Sequence, residues 1–215
     1  MTAPRIARRS AVALGAGALA ACVSLDLGGD APPQVQLGLR DAGAGATARR
    51  AAPLVDALLL QMQPADALAD TLGLVYSRRE GEFAFYQLAS WTERPVRQLP
   101  RLLQHRLERR GIAGAVGMAG DPMRAQWLLA VGVDTLYHDL RTEPGAARLA
   151  VTAELFDRRS RTRVASRRFE AAEPCARADS TAAAQAMAVA VGRAYDERVP
   201  WLEEQLQRAA AAPAR

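Results

Sequence analysis

The two histidines, His105 and His138, are the side chains that could most readily perform acid–base or metal chemistry near neutral pH. His105 lies on a predicted helix and His138 at the end of a predicted strand, and neither has a second residue at the spacing of a metal site or of a nucleophile and its base. We interpret the acids beside a predicted turn as solvated groups: Asp134, Asp139 and Glu143. The sequence therefore predicts no catalytic residue and no metal site, and we expect a protein that is not an enzyme.

A glycine-rich loop that could hold a phosphate is not found in the sequence either. Gly111, Gly114 and Gly117 neither follow a strong predicted strand nor open a helix. All 28 basic residues are arginines, so no lysine is present to complete a nucleotide site. We expect no cofactor.

The amino terminus carries residues suited to covalent lipid attachment. Arginines precede an apolar run, 11–21, and this run is followed by Cys22. The run is too short to span a bilayer, which takes about 20 residues. Its end, Leu19-Ala20-Ala21-Cys22, matches the bacterial lipoprotein signal. By analogy, cleavage falls between Ala21 and Cys22, and acyl chains such as palmitate are added to the sulfur and the new amino group of Cys22. The alternative is a plain secretory signal with an incidental cysteine.

A single acyl chain binds a membrane only marginally, so several chains are needed for a stable anchor. The residue after the cysteine indicates which of the two bacterial membranes would hold this anchor. Val23, rather than aspartate, follows Cys22. In the sorting rule of enteric bacteria an aspartate here retains a lipoprotein in the inner membrane, so we expect an outer-membrane anchor with the protein on the periplasmic face.

Removal of the signal also changes the charge of the chain. Three arginines, Arg5, Arg8 and Arg9, lie before the expected cleavage site, and their loss lowers the formal charge from +5 to +2. A nearly neutral chain of this length has no electrostatic footprint for a polyanion, so we expect no nucleic-acid partner.

Cys175 is the second cysteine of the chain. Once Cys22 is acylated, Cys175 has no intramolecular partner for a disulfide. We interpret it as a small loop residue, with an intermolecular disulfide or a redox role as the alternatives.

The first part of the mature chain has the composition of a linker. Residues 23–52 are rich in Gly, Ala, Pro and Asp, which predicts a flexible tether. Within it, the alternation of Val35, Leu37 and Leu39 is a candidate first strand. Two further strands are predicted at 54–62 and 72–77, and the turn at 79–82 joins the second of these to the next strand as a hairpin.

The stretch 83–107 is the predicted centre of the fold. Apolar and aromatic side chains occupy both faces of 83–91, which predicts a strand buried in the middle of a sheet. After a turn, leucines recur at helical spacing. Because Pro100 has no amide hydrogen, we expect the regular helix to begin near Pro100 after an irregular lead-in at 96–99, and to end at Gly111.

The remaining pattern predicts four strands and a helix. The strands are predicted at 112–118, 127–140, 149–155 and 162–169, the last two antiparallel. Asp179 or Ser180 is the expected cap of the final helix. We expect Pro200 to interrupt that helix and Trp201 to begin a shorter helical segment.

Short turns between strands favour antiparallel pairing. The fold class predicted is therefore α+β, with a mainly antiparallel sheet and two helices packed on one face. The predicted organisation is a signal peptide at 1–21, a lipidated amino terminus and linker at 22–52, and one folded domain at 53–210.

The chain resembles the ABC-type transport auxiliary lipoproteins. The resemblance covers 72–206 and rests on the lipoprotein signal, Leu74-Val75-Tyr76, the aromatic strand that ends at Trp91, the leucine helix, WLLAVGVDTLYHDL and LAVTAELFDRRSRTRVASRRF. These proteins are partners of bacterial MCE-type lipid transport systems, including the paraquat-inducible type.

The resemblance implies a non-enzymatic accessory component of a phospholipid transport system. Its expected partners are an MCE-domain protein, which spans the periplasm, and the ABC permease and ATPase of the inner membrane. The lipoprotein would dock this conduit at the outer membrane, and it could also assemble into a homo-oligomer. Two alternatives remain: a structural or assembly lipoprotein of the outer membrane with no transporter partner, and a periplasmic hydrolase, for which the sequence offers no nucleophile and base.

Overall fold

The protein is described by a computed structural model over residues 33–43 and 48–211. Eight strands and two helices follow one another in the order β1 (Val35–Leu37), β2 (Val55–Met62), β3 (Gly73–Arg79), β4 (Glu82–Trp91), α1 (Pro95–Arg110), β5 (Ala113–Met118), β6 (Trp127–Asp139), β7 (Ala146–Asp157), β8 (Thr162–Pro174) and α2 (Ser180–Ala211). The predicted α+β class is confirmed.

All eight strands belong to one sheet, in which the 13-residue strand β6 is central. On one side β6 pairs antiparallel with β7, which pairs antiparallel with β8. On its other side β6 pairs parallel with β2 at one end and with β3 at the other. The sheet therefore divides at β6 into a β2–β5 wing and a β3–β4–β1 wing.

The sheet is mixed rather than purely antiparallel, although its longest pairs, β6–β7 and β7–β8, are antiparallel as predicted. Parallel pairs join β1 to β4, β2 to β5, β2 to β6 and β3 to β6. We expected antiparallel pairing because the sequence predicts short turns between strands. In the structure, β2 pairs with β5 and β6, and β3 pairs with β6, but no hairpin connects the two strands of any of these pairs. Longer connections, one of which contains α1, return the chain to the same end of the sheet and make these neighbours parallel.

Both helices pack on one face of the sheet, as predicted. α1 contacts β2, β5 and β6, whereas α2 contacts β7 and β8. The helices also meet each other, since the Tyr195 hydroxyl donates a hydrogen bond of 2.6 Å to the Leu99 carbonyl. The apolar stripe of α1, including Leu103 and Leu107, is buried in the shared core.

The start of α1 is earlier than the sequence predicted. Pro95 lies in the first turn and Pro100 lies inside a regular helix, so 96–99 is helical and not an irregular lead-in. Pro95 suits the first turn because its missing amide hydrogen has no partner there. Pro100 removes one bond, that to the Val96 carbonyl, and burial of the leucine stripe offsets this loss. Gly111 ends the helix in the left-handed conformation, as predicted.

The final helix is also longer than predicted. Asp179 caps it, because its Oδ1 accepts a 2.7 Å hydrogen bond from the Ala182 amide. The helix then continues through Pro200 to Ala211, so the predicted interruption is wrong. Pro200 is exposed while Val199, Trp201 and Leu202 are buried, and we attribute the continuity to this packing.

Strand β4 is not a strand buried on both faces. Its first seven residues are exposed or half-buried, and burial begins at Ala89, where β1 pairs with it. The aromatic side chains that suggested a central position lie instead on one wing of the sheet, where β1 covers only three residues of the edge.

Part of the predicted linker packs into the folded body. Val35–Leu37 is a strand of the sheet, so the candidate first strand is confirmed and the sheet begins upstream of residue 53. Residues 38–43 and 48–52, which we call the inter-helix segment, then follow the helices towards β2. Leu39 is buried, the Ala42 amide donates to the Ala188 carbonyl, and the Arg50 amide donates to the Arg110 carbonyl.

A buried ion pair fixes this segment to the helices. Arg106 of α1 is buried, and its Nε and Nη2 donate to the two oxygens of Asp41 over 2.8 and 2.6 Å. Arg106 also donates to Asp196 of α2. The close approach requires glycine on α2, since a Cβ at Gly192 would lie 2.8 Å from the Gly43 amide nitrogen.

Candidate docking surface

The outer edge of β4 is exposed along most of its length. β4 pairs with β3 on its inner side, and β1 pairs with Ala89, Ser90 and Trp91 on its outer side. Within the described part of the chain, residues 82–88 have no strand on that outer side. An uncovered strand edge presents backbone donors and acceptors that can pair with another strand.

Large apolar side chains project from the same seven residues. Phe83, Phe85 and Leu88 are 44%, 43% and 49% exposed. The Phe83 ring contacts Tyr137 of β6 edge-on, with ring centroids 5.3 Å apart. The Phe85 ring lies over Gly73 of β3, where a Cβ on residue 73 would collide with the ring. Both rings are therefore positioned by the sheet, with almost half of their surface left in water.

Charge protects this edge only at its first residue. Glu82 forms a salt bridge with Arg79, and no residue from 83 to 91 is charged. Proteins usually guard an exposed edge with charged side chains, proline or a bulge, because an uncharged edge readily pairs with another chain. β4 has irregular pairing with β3, but the faces of the strand beside its free edge carry half-exposed aromatic and aliphatic side chains, which favours addition of an apolar strand.

The sequence before β1 disfavours an extension of that strand along the edge. An extension of β1 in its parallel register, Val35 opposite Ala89, would bring Pro33 opposite Gln87. Proline donates no backbone hydrogen bond, and Pro32 precedes Pro33 in the sequence. The two prolines therefore disfavour growth of β1 along the edge.

A hydrogen bond from Tyr86 to His138 joins β4 to the central strand β6. His138 is fully buried, its Nε2 donates to the Pro144 carbonyl over 3.1 Å, and its Nδ1 accepts a 2.8 Å hydrogen bond from the Tyr86 hydroxyl of β4. Burial lowers the pKa of His138 and raises the pKa of Tyr86 to about 12. Both groups are neutral near pH 7, and their hydrogen bond connects β4 to β6.

The acidic residues predicted as solvated differ in environment. Asp139 is buried, so that prediction is wrong for it. Hydrogen bonds from Arg141 hold the pKa of Asp139 at about 2, and Arg148 adds another. Glu143 is exposed as predicted, and Asp134 is half-buried and accepts a 2.7 Å hydrogen bond from Thr152.

The remaining candidate side chains are His105 and Cys175. His105 is exposed on α1 beside Glu108. Cys175 follows β8 and is buried, and burial raises the pKa of its thiol, which disfavours the reactive thiolate. In the described residues no three His, Cys, Asp or Glu side chains lie close enough together to hold a metal ion.

The predicted lipid site lies outside the described residues. Ala21 and Cys22 both precede residue 33, so their assignment rests on the sequence alone. Of the two helices described, neither contains an apolar stretch long enough to cross a bilayer.

Comparison with known proteins points to one family. Residues 38–197 match the model of the family described as ABC-type transport auxiliary lipoprotein component. This match begins at the inter-helix segment and covers α1, seven of the eight strands and the first half of α2. No curated protein matches the chain.

Solved structures share the fold. A crystal structure of a Xanthomonas campestris protein is 24% identical with a TM-score of 0.74, covering 83% of this chain and 99% of that one. The crystal structure of an uncharacterized protein is 13% identical with a TM-score of 0.58, covering 73% of this chain and 97% of that one. At these identities the likeness establishes the architecture and no more.

Proposed function

Since the chain belongs to the family of ABC-type transport auxiliary lipoprotein components, we propose that it is the lipid-anchored accessory component of an MCE-type phospholipid transport system. In this proposal, acyl chains on Cys22 hold the protein at the outer membrane, on its periplasmic face. The folded body docks the periplasmic MCE-domain protein, and the inner-membrane permease and ATPase supply the free energy of transport.

The observation that carries the docking role is the uncovered β4 edge. We assign residues 82–88 as the place where an extended, apolar strand of the MCE-domain protein is added to the sheet. Backbone hydrogen bonds to the edge would give affinity, and the half-exposed rings of Phe83 and Phe85 would accept alternate side chains of that strand. The role requires binding and no catalysis.

Capture from membranes tests this proposal. The full-length tagged chain is purified with a mild detergent from cells that contain the transport system, and co-purified proteins are identified. We expect the MCE-domain protein together with the permease and ATPase. A chain that remains in the outer membrane but retains none of these proteins would contradict the proposal and favour a structural lipoprotein.

A matched pair of variants tests the edge itself. Leu88→Lys places a charge on the β4 edge at a half-exposed position, so we expect normal folding and a loss of captured MCE-domain protein of at least tenfold. Val164→Lys is the control, because Val164 is similarly exposed on β8, the strand at the opposite end of the sheet. Equal capture by the two variants would exclude the β4 edge as the docking surface.

A further inference from the structure

A second surface feature is a groove of about 810 Å³ at the end of the sheet where β6 begins and β7 turns into β8. Residues 123–126 form one wall and the hairpin 157–161 forms the other. Leu128 and Phe156, which lie opposite each other in the β6–β7 register, and Met123 give the groove its apolar surface. All three side chains are half-buried.

The rim of this groove is strongly basic. Asp157 is the acidic residue of the lining, against four arginines: Arg124, Arg158, Arg159 and Arg161. In the part of the chain that the structure describes, none of these arginines forms a salt bridge, although arginines elsewhere on the sheet do. The lining therefore has a formal charge of +3.

The two walls are joined by hydrogen bonds that hold the rim in place. Arg158 Nη1 donates to the Ala125 carbonyl over 3.0 Å, and the Arg158 amide donates to the Gln126 carbonyl over 2.8 Å. Within the hairpin, the Arg159 amide donates to Asp157 over 2.8 Å. These bonds fix the backbone of both walls and the guanidinium of Arg158, so the sheet framework sets where the arginines of the rim are attached.

The backbone conformation of Arg161 also indicates that its side chain has a function. Its φ is 58°, a left-handed conformation that favours glycine and is costly for a long side chain. A hairpin that needed only to turn would be better served by glycine or asparagine at this position. Sequences often break such a local rule where a side chain has a function.

We propose that this groove binds the phosphate headgroup of an anionic phospholipid. Guanidinium groups match phosphate oxygens in geometry and charge, and the apolar floor of Met123, Leu128 and Phe156 is suited to the first part of the acyl chains. The volume lies within the range of small-molecule sites. The groove shares no residue with the β4 edge, so this inference goes beyond the proposed function and can fail independently of it.

Titration calorimetry on the full-length chain tests the groove. The chain carries Cys22→Ser, which removes any lipid anchor, and the probe is a short-chain phosphatidylglycerol below its micelle concentration. We expect saturable binding that weakens as salt is added, and weaker binding of the matching phosphatidylcholine, whose headgroup has no net charge. Glycerol phosphate, which has no acyl chain, should bind more weakly still.

Arg161→Gly separates binding from folding. The substitution removes one guanidinium and relieves the left-handed backbone, so we expect unchanged or higher thermal stability. Affinity for phosphatidylglycerol should fall about fivefold, which corresponds to about 1 kcal/mol per arginine near an anionic lipid. The double variant Arg124→Gln with Arg159→Gln should lose about 25-fold. Arg97→Gln, an exposed arginine of α1 away from the groove, is the control and should bind like the parent.

Three results would overturn the inference. The first is no detectable binding of phosphatidylglycerol. The second is equal binding of Arg161→Gly and Arg97→Gln. The third is equal affinity for phosphatidylglycerol and glycerol phosphate, which would show that the apolar floor takes no part.

Discussion

Two arginines are buried in the core, and they differ in how their charge is compensated. Arg106 is bound by Asp41 and Asp196. Arg198 of α2, by contrast, makes no hydrogen bond through its guanidinium within the described chain, and lies over the rings of Phe169 and Tyr195, 5.2 and 5.4 Å from their centroids. Burial lowers the pKa of Arg198 to about 10, so the side chain still carries its charge at neutral pH.

The Arg106 ion pair predicts unequal roles for its two acids. Asp41→Ala leaves a buried guanidinium with one exposed partner, so we expect the free energy of unfolding to fall by about 3–5 kcal/mol. Asp196→Ala removes a carboxylate that is 61% exposed, and should cost about 1 kcal/mol or less. Urea unfolding of both variants makes the comparison. Similar losses would show that Asp41 is not the principal partner.

His138 predicts acid sensitivity. Its pKa is lowered in the folded state, so the unfolded chain binds the proton more readily and stability falls as pH drops below about 6.5. Above that pH, His138 is neutral in both the folded and the unfolded chain, and its protonation no longer lowers the free energy of unfolding. His138→Gln should flatten the decrease between about pH 6.5 and 5, measured by urea unfolding at each pH, whereas His105→Gln on the surface should not. A decrease that is unchanged in His138→Gln would refute the assignment.

At the scale of elements, the two helices tolerate proline for different reasons. Pro100 lies on the buried face of α1, where its ring contributes packing. Pro200 is exposed on α2, so its ring contributes little and its cost is the missing bond to the Asp196 carbonyl. Neither helix ends at its proline, because burial of the helix's apolar face outweighs the low helix propensity of proline.

Replacement of Pro200 therefore predicts a gain in stability. Pro200→Ala restores an amide donor in the interior of α2, and we expect the free energy of unfolding to rise by about 1–3 kcal/mol. Pro95→Ala is the control, since proline is favourable in a first turn and its loss should bring no gain. Thermal unfolding of both variants measures the difference. No gain for Pro200→Ala would indicate that the proline ring is packed and not merely tolerated.

At the scale of the whole molecule, β1 sets the length of the tether. Because Val35 already belongs to the sheet, 13 residues, 22–34, separate the lipid site from the folded body rather than the 31 residues of the predicted linker. Fully extended, 13 residues span at most about 45 Å. If Cys22 carries the lipid, the body stays near the membrane that holds the anchor, and its partner must reach it there.

Loss of the lipid site predicts release from the membrane. Cys22→Ser removes the sulfur to which the acyl chains would be attached, so we expect the chain to move from the detergent phase to the aqueous phase in a Triton X-114 partition. Cys175→Ser, at a buried thiol, is the control and should stay with the detergent. Unchanged partitioning of Cys22→Ser would refute the anchor.

The sequence predicted most of the elements and their order. The alternation of Leu149, Val151, Ala153 and Leu155 identified β7, and the glycine at position 111 identified the end of α1. Such patterns are local, because a strand or a helix shows its period over a few residues. The family resemblance also rested on these apolar patterns, and the match over 38–197 confirms it.

Tertiary structure decided the features that depend on distant residues. Whether 83–91 lay in the centre or at an edge depended on β1, which is too short to cover it. Whether the inter-helix segment was a tether or a packed segment depended on Arg106, which lies more than 60 residues away from Asp41. Burial is a property of the neighbours that a residue meets, and for these residues the neighbours are distant in sequence, so no local period could reveal them.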